Sequence, residues 1–341
     1  MLMETILLGT YTKRTSEGIY QATLDTDNQL IKDVKLIAVA DSPTYLGVSN
    51  QNFLYAVTKE DTFGGVAVYE LVEGDYHLRQ QLLEEGAPPC YIGVDNERGL
   101  IFDANYHRGL VHAYKILEDG TLELRDTAIH SGQGPHPNQN APHAHYADLT
   151  PDKRLVSCDL GTDEVHVYDV SEEGHLTEAA VFKTEVGAGP RHIVFHPTLN
   201  LAYIIGELNN TITVVTYNRE TGEMTAKQTI STLPNTDVES SGGAIRISSD
   251  GRFLYASNRG HNSIAIFSIS ENGEELSLVD VVASAGDFPR DFTLNKTEDF
   301  LICSHQESDN LVLFSRSKET GKLTMISQDT LAPECVCTYM I

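Results

Sequence analysis

Apolar residues along the chain occur in short runs separated by polar loops, and the most regular run recurs with a period close to fifty residues. Its centres are 47, 47, 54, 47, 52 and 47 residues apart, and they fall at Leu8, Tyr55, Phe102, Val156, Tyr203, Tyr255 and Ile302. Short runs rich in β-branched and aromatic residues predict strands, and no segment has a sustained helical period. The pattern therefore predicts seven copies of one β unit.

Each unit contains further strand signals. A second apolar run follows the first, as in residues 66–69, 111–114, 165–168 and 264–267. Glycine turns then precede a Leu or Met by two residues, at Gly120, Gly174, Gly222 and Gly321. With the run that opens each unit, four strands per unit result. Radial repetition of four-stranded sheets makes a β-propeller, which leaves few exposed sheet edges.

The two ends of the chain complement each other. Most units open with a Pro or Gly, at Pro43, Pro89, Pro190, Gly242 and Pro289. The first unit lacks this opener and begins directly with second-strand residues 5–8, whereas residues 333–337 look like an opener with no unit after it. We therefore expect an all-β, seven-bladed β-propeller with four antiparallel strands per blade. Its first blade is closed by the N- and C-terminal strands, and residues 1–341 form a single domain.

Composition excludes several classes of partner. The net charge of −25 argues against nucleic acid and anionic membrane surfaces, because both require basic patches. No apolar run approaches the roughly twenty residues of a spanning helix, and the N-terminus reads as a strand rather than a signal peptide. These features predict a cytoplasmic protein that does not bind membranes or nucleic acid.

The chain contains five cysteines, and an odd number in a chain of this length does not indicate a disulfide framework. Cys90, Cys158 and Cys303 fall in predicted strands and are expected to be small buried residues. Cys335 and Cys337 are two apart and are expected on one face of the closing strand. No second pair with ligand spacing accompanies them, so no metal site is predicted. The absence of a P-loop and of a dinucleotide fingerprint predicts no cofactor.

Polar residues interrupt the repeat at two kinds of position. Inner-strand openings and second-strand ends converge on the axial cleft of a propeller, where packing would otherwise prefer apolar residues. The residues at the openings are His143, His145, Arg191, His192, Arg290, Asp291 and Glu334, and those at the strand ends are Asn105, Asp159, Glu207, Asn258, Arg259, His305 and Gln306.

The arginines at these positions, Arg191, Arg259 and Arg290, occur in a chain with few basic residues. Arginines near one axis need an anionic partner. That partner is either a protein carboxylate, such as Glu207, Asp159 or Asp291, or a bound phosphate or carboxylate.

The other groups that could move protons are His143, His145 and Glu207. The two histidines are two apart on a predicted strand and can serve proton transfer, or they can bond neighbouring blades. Glu207 closes an apolar strand, which suits either a general base or a carboxylate that positions an arginine.

The chain also resembles a known family, the seven-bladed β-propeller lactonases of the bacterial 6-phosphogluconolactonase type. The resemblance covers essentially the whole chain. The matching segments are residues 9–12 (GTYT), 142–145 (PHAH), 159–163 (DLGTD), 189–192 (GPRH), 207–208 (EL), 249–260 (SDGRFLYASNRG) and 288–290 (FPR).

This resemblance implies hydrolysis of 6-phospho-D-glucono-1,5-lactone to 6-phosphogluconate in the pentose phosphate pathway. A relative with this fold catalyses carboxymuconate cyclisation with a His, a Glu and two Arg. The corresponding residues here are His143 or His145, together with Glu207, Arg191 and Arg259, and His143 is the expected catalytic histidine. Substrate contacts are expected from His145, His192, Arg290, Asn258, Gln306 and Asp159. The partner is then a small anionic sugar lactone, and the chain is expected to be a monomer or weak homodimer.

Two other functions remain open at this level. One is a lyase, cycloisomerase or hydrolase for another carboxylated sugar or muconate lactone, which the same side chains could serve. The other is a non-catalytic binding propeller, because a fold does not fix a function. One opener departs from the family pattern, since Gly242 and Gly243 offer no side-chain chemistry.

Overall fold

The computed structural model describes residues 3–234 and 238–341, in which 28 β-strands and one short 3-10 helix, Pro137–Gln139, are present. The strands form seven four-stranded antiparallel sheets, numbered 1 to 7 in the order of their first residues. This confirms the prediction of a seven-bladed propeller with four strands per blade. No helix in the described ranges is long and apolar enough to cross a membrane.

The strand bounds follow the repeat. Sheet 1 holds β1 (Met3–Thr10), β2 (Gly18–Asp25), β3 (Leu30–Val39) and β28 (Cys335–Met340). Sheet 2 holds β4 (Leu46–Val48), β5 (Phe53–Glu60), β6 (Phe63–Val72) and β7 (Asp75–Glu85). Sheet 3 holds β8 (Tyr91–Asp95), β9 (Leu100–Asn105), β10 (Leu110–Ile116) and β11 (Leu122–Ile129). Sheet 4 holds β12 (Ala144–Leu149), β13 (Leu155–Asp159), β14 (Glu164–Val170) and β15 (Leu176–Lys183).

The remaining sheets complete the series. Sheet 5 holds β16 (Pro190–Phe195), β17 (Leu201–Gly206), β18 (Thr211–Tyr217) and β19 (Met224–Ser231). Sheet 6 holds β20 (Ser241–Ile247), β21 (Phe253–Arg259), β22 (Ser263–Ile269) and β23 (Leu276–Ala283). Sheet 7 holds β24 (Pro289–Leu294), β25 (Phe300–His305), β26 (Asn310–Arg316) and β27 (Leu323–Leu331).

The chain divides into two compact units. The first unit comprises Met1–Val39, Val194–Thr216 and Ala226–Ile341, and the second comprises Ala40–Ile193 and Tyr217–Thr225. Sheets 1, 6 and 7 lie in the first unit, and sheets 2, 3 and 4 lie in the second. That residues 1–341 behave as one domain stays a prediction.

Sheet 1 is built from both ends of the chain. The strand order is β28-β1-β2-β3, and β28 pairs antiparallel with β1, with Thr338 opposite Leu8. This confirms the predicted closure of the first blade by the terminal strands. Because β28 supplies hydrogen-bond partners along β1, removing it would expose a sheet edge inside the apolar core.

The centres of the seven runs are buried on the second strand of their sheets, and apolar clusters fill the space between neighbouring sheets of each unit. A polar contact joins the aromatic run of one sheet to the glycine turn of the next. The Tyr55 hydroxyl donates to the Gly120 carbonyl at 3.1 Å, and the Tyr255 hydroxyl donates to the Gly321 carbonyl at 2.8 Å. Gly321 has a φ of 71°, and a Cβ there would lie 2.3 Å from the Phe253 ring, so only glycine fits this turn.

One cysteine prediction was wrong. Cys90 directly precedes β8 and is only partly buried, although its backbone nitrogen donates to the Ala104 carbonyl of β9 at 2.8 Å. Cys158 lies buried in β13 and Cys303 lies buried in β25, as predicted. Cys335 and Cys337 are both buried in β28.

Candidate active site

An ion pair at the ends of two second strands is the centre of the first group of polar residues. Glu207 directly follows β17, and Arg259 is the last residue of β21. The Nη2 atom of Arg259 lies 2.7 Å from a carboxylate oxygen of Glu207, and the side chains are 5% and 17% exposed respectively. The arginine is therefore withdrawn from solvent while the carboxylate remains accessible to a water molecule.

The glycine opener of sheet 6 takes part in this arrangement through its backbone. The same Nη2 atom of Arg259 donates to the Gly242 carbonyl oxygen at 2.6 Å. A Cβ at Gly242 would lie 2.6 Å from the Gly206 carbonyl oxygen, so a side chain cannot be accommodated without a shift. The opener that offers no side-chain chemistry thus supplies a fixed acceptor to the buried arginine.

The charge of Arg259 is under opposing influences. Burial lowers the pKa of Arg259 below its ordinary value, Glu207 acts against that shift, and the like charge of Arg290 adds to it. The Phe288 ring lies 5.4 Å from the Arg259 guanidinium carbon. A second anion at this place would relieve the repulsion between the two arginines.

Arg290 and Gln306 lie in the same unit. The Arg290 guanidinium lies 5.5 Å from the centre of the Tyr11 ring and 3.4 Å from the Gln306 side-chain oxygen. Within residues 3–234 and 238–341, Arg290 forms no ion pair, and its neighbour Asp291 binds Arg246 at 2.8 Å instead. Of the two alternatives for the arginines, Arg259 has a protein carboxylate, whereas Arg290 keeps the capacity to bind an anion.

Tyr11 was missed as a candidate, although the segment that contains it belongs to the family motif. It follows the last residue of β1, the second strand of sheet 1. The site residues predicted at the ends of second strands are polar, whereas Tyr11 is aromatic. Its position one residue beyond a second strand was the signal that could have identified it.

Asn258 uses its amide inside the protein. Its nitrogen donates to the Thr232 carbonyl at 3.0 Å and to the Ser263 hydroxyl at 3.1 Å, and its oxygen accepts from the Thr232 hydroxyl at 2.6 Å. The side chain is fully buried. These bonds hold the end of β21, which carries Arg259.

Asp159, at the end of β13 in the second unit, is likewise buried and internally bonded. Its carboxylate lies 2.7 Å from the His130 Nδ1 atom and accepts backbone N–H bonds from His143, Gly161 and Thr162. Burial alone would raise the pKa of Asp159, but His130 and these donors lower it below its ordinary value. The ionised carboxylate fixes the loops on both sides of β12 and β13.

His143 lies just before β12, not on the strand as predicted. Its backbone nitrogen donates to the Asp159 side chain at 2.7 Å and its carbonyl accepts from the Leu160 nitrogen at 3.0 Å, so these groups bind the end of β13 and the loop after it. The ring stacks on Tyr106 at 4.3 Å, and Nδ1 lies 2.8 Å from the Tyr106 carbonyl oxygen. The ladder of β12 also shifts between Ala144 and Tyr146. The prediction that both histidines lie on this strand is therefore wrong for His143, although both rings contact Tyr106, His143 at 4.3 Å and His145 at 5.9 Å.

Arg191, His192 and His145 form the second group, in the second unit. An Arg191 nitrogen lies 3.4 Å from His192 Nε2, and both residues are 3% exposed. The His192 ring lies 5.2 Å from the His145 ring and 5.4 Å from the rings of Tyr91 and Tyr146. The opener motifs of sheets 4 and 5 thus contribute to one aromatic cluster.

The predicted site residues are therefore found in two groups. Glu207, Arg259, Arg290 and Gln306 share the first unit. His145, Arg191 and His192 share the second, where His143 stacks on a tyrosine. Among the described residues, no group of three or more His, Cys, Asp or Glu side chains has the arrangement of a metal site.

Comparison with known proteins gives consistent results. The family model described as Lactonase, 7-bladed beta-propeller matches residues 5–340. The 6-phosphogluconolactonase of Bacillus subtilis is 42% identical over 340 residues, which cover 98% of this chain and 97% of the relative. A crystal structure of a protein from Lactobacillus plantarum has 44% identity and a TM-score of 0.98, with full coverage of both chains.

A solved structure of lower sequence identity is that of a gluconolactonase. The periplasmic gluconolactonase of Pseudomonas aeruginosa is 27% identical, with a TM-score of 0.92 over 100% of this chain and 99% of that one. The match of the family model to nearly the whole chain, together with the relatives above 40% identity, shows that the chain is a lactonase and belongs to the seven-bladed β-propeller lactonase family.

Proposed function

We propose that this lactonase hydrolyses 6-phospho-D-glucono-1,5-lactone to 6-phosphogluconate, the lactone step of the oxidative pentose phosphate pathway. The observation that carries the proposal is the group formed by Glu207, Arg259 and Arg290, in which Arg259 pairs with the Glu207 carboxylate and is also affected by the like charge of Arg290. In a chain with a net charge of −25, a local excess of positive charge suits an anionic sugar. The name of the Bacillus subtilis relative supports the same substrate.

The reaction assigned to this group is water attack on the lactone carbonyl carbon. Glu207 accepts a proton from the water as the new C–O bond forms, a role that typically contributes about 10² to 10⁴ in rate. Arg259 donates to the carbonyl oxygen as it becomes an oxyanion. Collapse of the tetrahedral intermediate breaks the bond to the ring oxygen, which takes up a proton and becomes the C5 hydroxyl of the product.

The residues of the second unit keep their predicted roles within this proposal. Arg191 is a second candidate for binding the oxyanion or the phosphate. His143 is the alternative general base, and its ring nitrogens lie 2.8 Å from the Tyr106 carbonyl oxygen (Nδ1) and 3.3 Å from the Asn140 side-chain oxygen (Nε2). His145 and His192 stay candidates for substrate binding. Asn258 and Asp159 act, in this proposal, by fixing backbone and not by contact with the lactone.

The test is the rate of hydrolysis of 6-phosphogluconolactone freshly made from glucose 6-phosphate, with the spontaneous rate subtracted. The parent should accelerate hydrolysis, and Glu207→Gln should lower kcat by about 10² to 10⁴, because the amide keeps the shape and cannot accept the proton. Glu85→Gln is the matched control, since Glu85 is exposed on β7. Arg191→Ala tests the second group in the same assay.

Folded protein without acceleration would overturn the substrate assignment. Full activity in Glu207→Gln would transfer the general-base role to His143, which His143→Gln then tests. The predictions of a cytoplasmic location and of a monomer or weak homodimer stay predictions.

A second candidate substrate is unphosphorylated glucono-1,5-lactone. It is favoured by the 27% identical gluconolactonase of Pseudomonas aeruginosa, whose likeness extends over the whole chain. The ratio of kcat/KM for the two lactones separates the candidates. We expect the phosphorylated lactone to be preferred, because only its phosphate can use the charge of Arg290.

A further inference from the structure

The loop that follows β1 is held in place by a buried carboxylate. Glu334 is 1% exposed, and its two oxygens accept backbone N–H bonds of 2.9 to 3.1 Å from Lys13, Arg14, Thr15 and Ser16. Burial alone would raise the pKa of Glu334, but these four donors lower it below its ordinary value. The backbone of Lys13 is therefore fixed while its ammonium group takes no part in fixing it.

Two cations lie against the Tyr11 ring. The Lys13 ammonium nitrogen is 4.2 Å from the ring centre, and the Arg290 guanidinium carbon is 5.5 Å from it. Neither cation forms an ion pair with any carboxylate in the described part of the chain. Arg14, next to Lys13, differs, because it binds two carboxylates at 2.7 Å. The ring thus holds two positive charges that the protein itself does not neutralise.

The Tyr11 ring alone stabilises the two cations only weakly, so a bound anion would stabilise them further. A cation–π contact at an exposed site contributes only about 0.5–1 kcal/mol. The ammonium retains N–H donors, and the guanidinium retains most of its five. A phosphate ester carries a charge of about −1.5 to −2 near pH 7 and has three acceptor oxygens. A neutral hydroxyl at the same place would leave the repulsion between the cations unrelieved.

We propose that Lys13 and Tyr11, with Arg290, form a subsite for the phosphate of the substrate, and that Lys13 determines the preference for a phosphorylated lactone. This inference rests on the proposed function. Tyr11 acts as a positioning residue, because both cations contact its ring. Arg259 and Glu207 then remain available for the reacting carbonyl.

The test compares Lys13→Met with the parent on 6-phosphogluconolactone and on glucono-1,5-lactone. Loss of one charged hydrogen bond to phosphate should lower kcat/KM for the phosphorylated lactone by about 10- to 100-fold, mainly through KM. The value for the unphosphorylated lactone should stay within about twofold of the parent. Lys35→Met is the matched control, because Lys35 is an exposed lysine of β3 in the same unit and its loss changes the net charge equally.

Product inhibition gives a second readout that does not depend on the chemical step. The inhibition constant of 6-phosphogluconate should rise at least about 10-fold in Lys13→Met, with no change for gluconate, and Lys13→Arg should restore most of the parent affinity. A parent without activity on 6-phosphogluconolactone would overturn the proposed function itself. An active parent whose Lys13→Met variant keeps its selectivity, or loses activity equally on both lactones, would overturn the subsite alone.

Discussion

Arg259 and Arg316 are both buried arginines of the first unit, yet their surroundings differ. Arg316, the last residue of β26, donates to the Tyr255 hydroxyl at 2.7 Å and to the Glu298 carbonyl at 3.0 Å. Its guanidinium carbon lies 5.8 Å from the centre of the Phe253 ring and 5.6 Å from that of Tyr255. These partners belong to sheets 6 and 7, so Arg316 connects the two sheets.

Arg259 likewise has one carboxylate and one carbonyl as partners, but a second arginine, Arg290, also acts on its charge. Burial of an arginine therefore does not by itself indicate a binding site. The distinction lies in the neighbours, because the partners of Arg316, which include the Glu298 carboxylate at 3.6 Å, join two sheets, whereas the like charge of Arg290 acts on Arg259 and favours an added anion there.

The largest expected difference between these arginines is in activity. Arg259→Met should lower kcat/KM for the lactone by about 10² to 10³, the effect of removing one donor to an oxyanion. Arg316→Met should stay within about threefold of the parent, because Arg316 contacts only sheet-joining groups. Steady-state assays well below the unfolding temperature provide the measurement. Equal losses in both variants would mean that the comparison does not separate catalysis from structure.

Stability should show the opposite order. Arg316→Met leaves the Tyr255 hydroxyl and the Glu298 carbonyl without a charged donor, and should reduce the free energy of unfolding by about 1–3 kcal/mol. Arg259→Met should reduce it less, because burial already disfavours the charged form of Arg259, as its lowered pKa indicates. Urea unfolding of the parent and both variants measures this. A larger loss in Arg259→Met would contradict the assignment.

A smaller expected effect is on the pH dependence of stability. It comes from a buried histidine and not from either arginine. His305 ends β25, and burial lowers its pKa to about 4. The folded protein therefore keeps this histidine neutral, whereas the unfolded chain protonates it near pH 6.5. Its contribution to stability is complete above about pH 6.5 and is lost as the pH falls toward 4, with a slope of up to about 1.4 kcal/mol per pH unit.

The variant His305→Asn should consequently lose less stability than the parent between pH 7 and pH 5. Urea unfolding at several pH values gives this difference directly. The difference between Arg316→Met and the parent should stay constant over the same range, because arginine does not titrate there. Parallel curves for His305→Asn and the parent would show that the histidine titrates normally in the folded protein.

The fold was predictable because each blade repeats the same local signals. Tyr55, Tyr203 and Tyr255 mark second strands by their apolar neighbours, and the glycine turns mark the approach to fourth strands. The contact between a tyrosine hydroxyl and the next glycine turn was not predictable, since it joins residues 65 positions apart or more. The shift in the ladder at His145 was also hidden, because a bulge leaves no trace in the alternation of residue types.

The candidate site was predictable only in part. The proximity of Glu207 and Arg259 follows from their equivalent positions at the ends of second strands. Residues at equivalent positions have different neighbours in the adjoining loops. The Asn258 amide, for example, forms its hydrogen bonds inside the protein. The acceptor at Gly242 was invisible because it is a backbone carbonyl. Lys13 was missed because its position depends on a loop bound by a residue more than 300 positions away.

The closure of sheet 1 by β28 has a consequence for the order in which the protein is made. A ribosome releases β1 to β3 first, but residues 40–334 must follow before β28 can pair with β1. At roughly 5–20 residues per second, that interval lasts roughly 15–60 s. During this time the growing chain carries an unpaired strand edge at its oldest end, which is a template for pairing with other chains. The first blade to leave the ribosome is therefore the last to be finished.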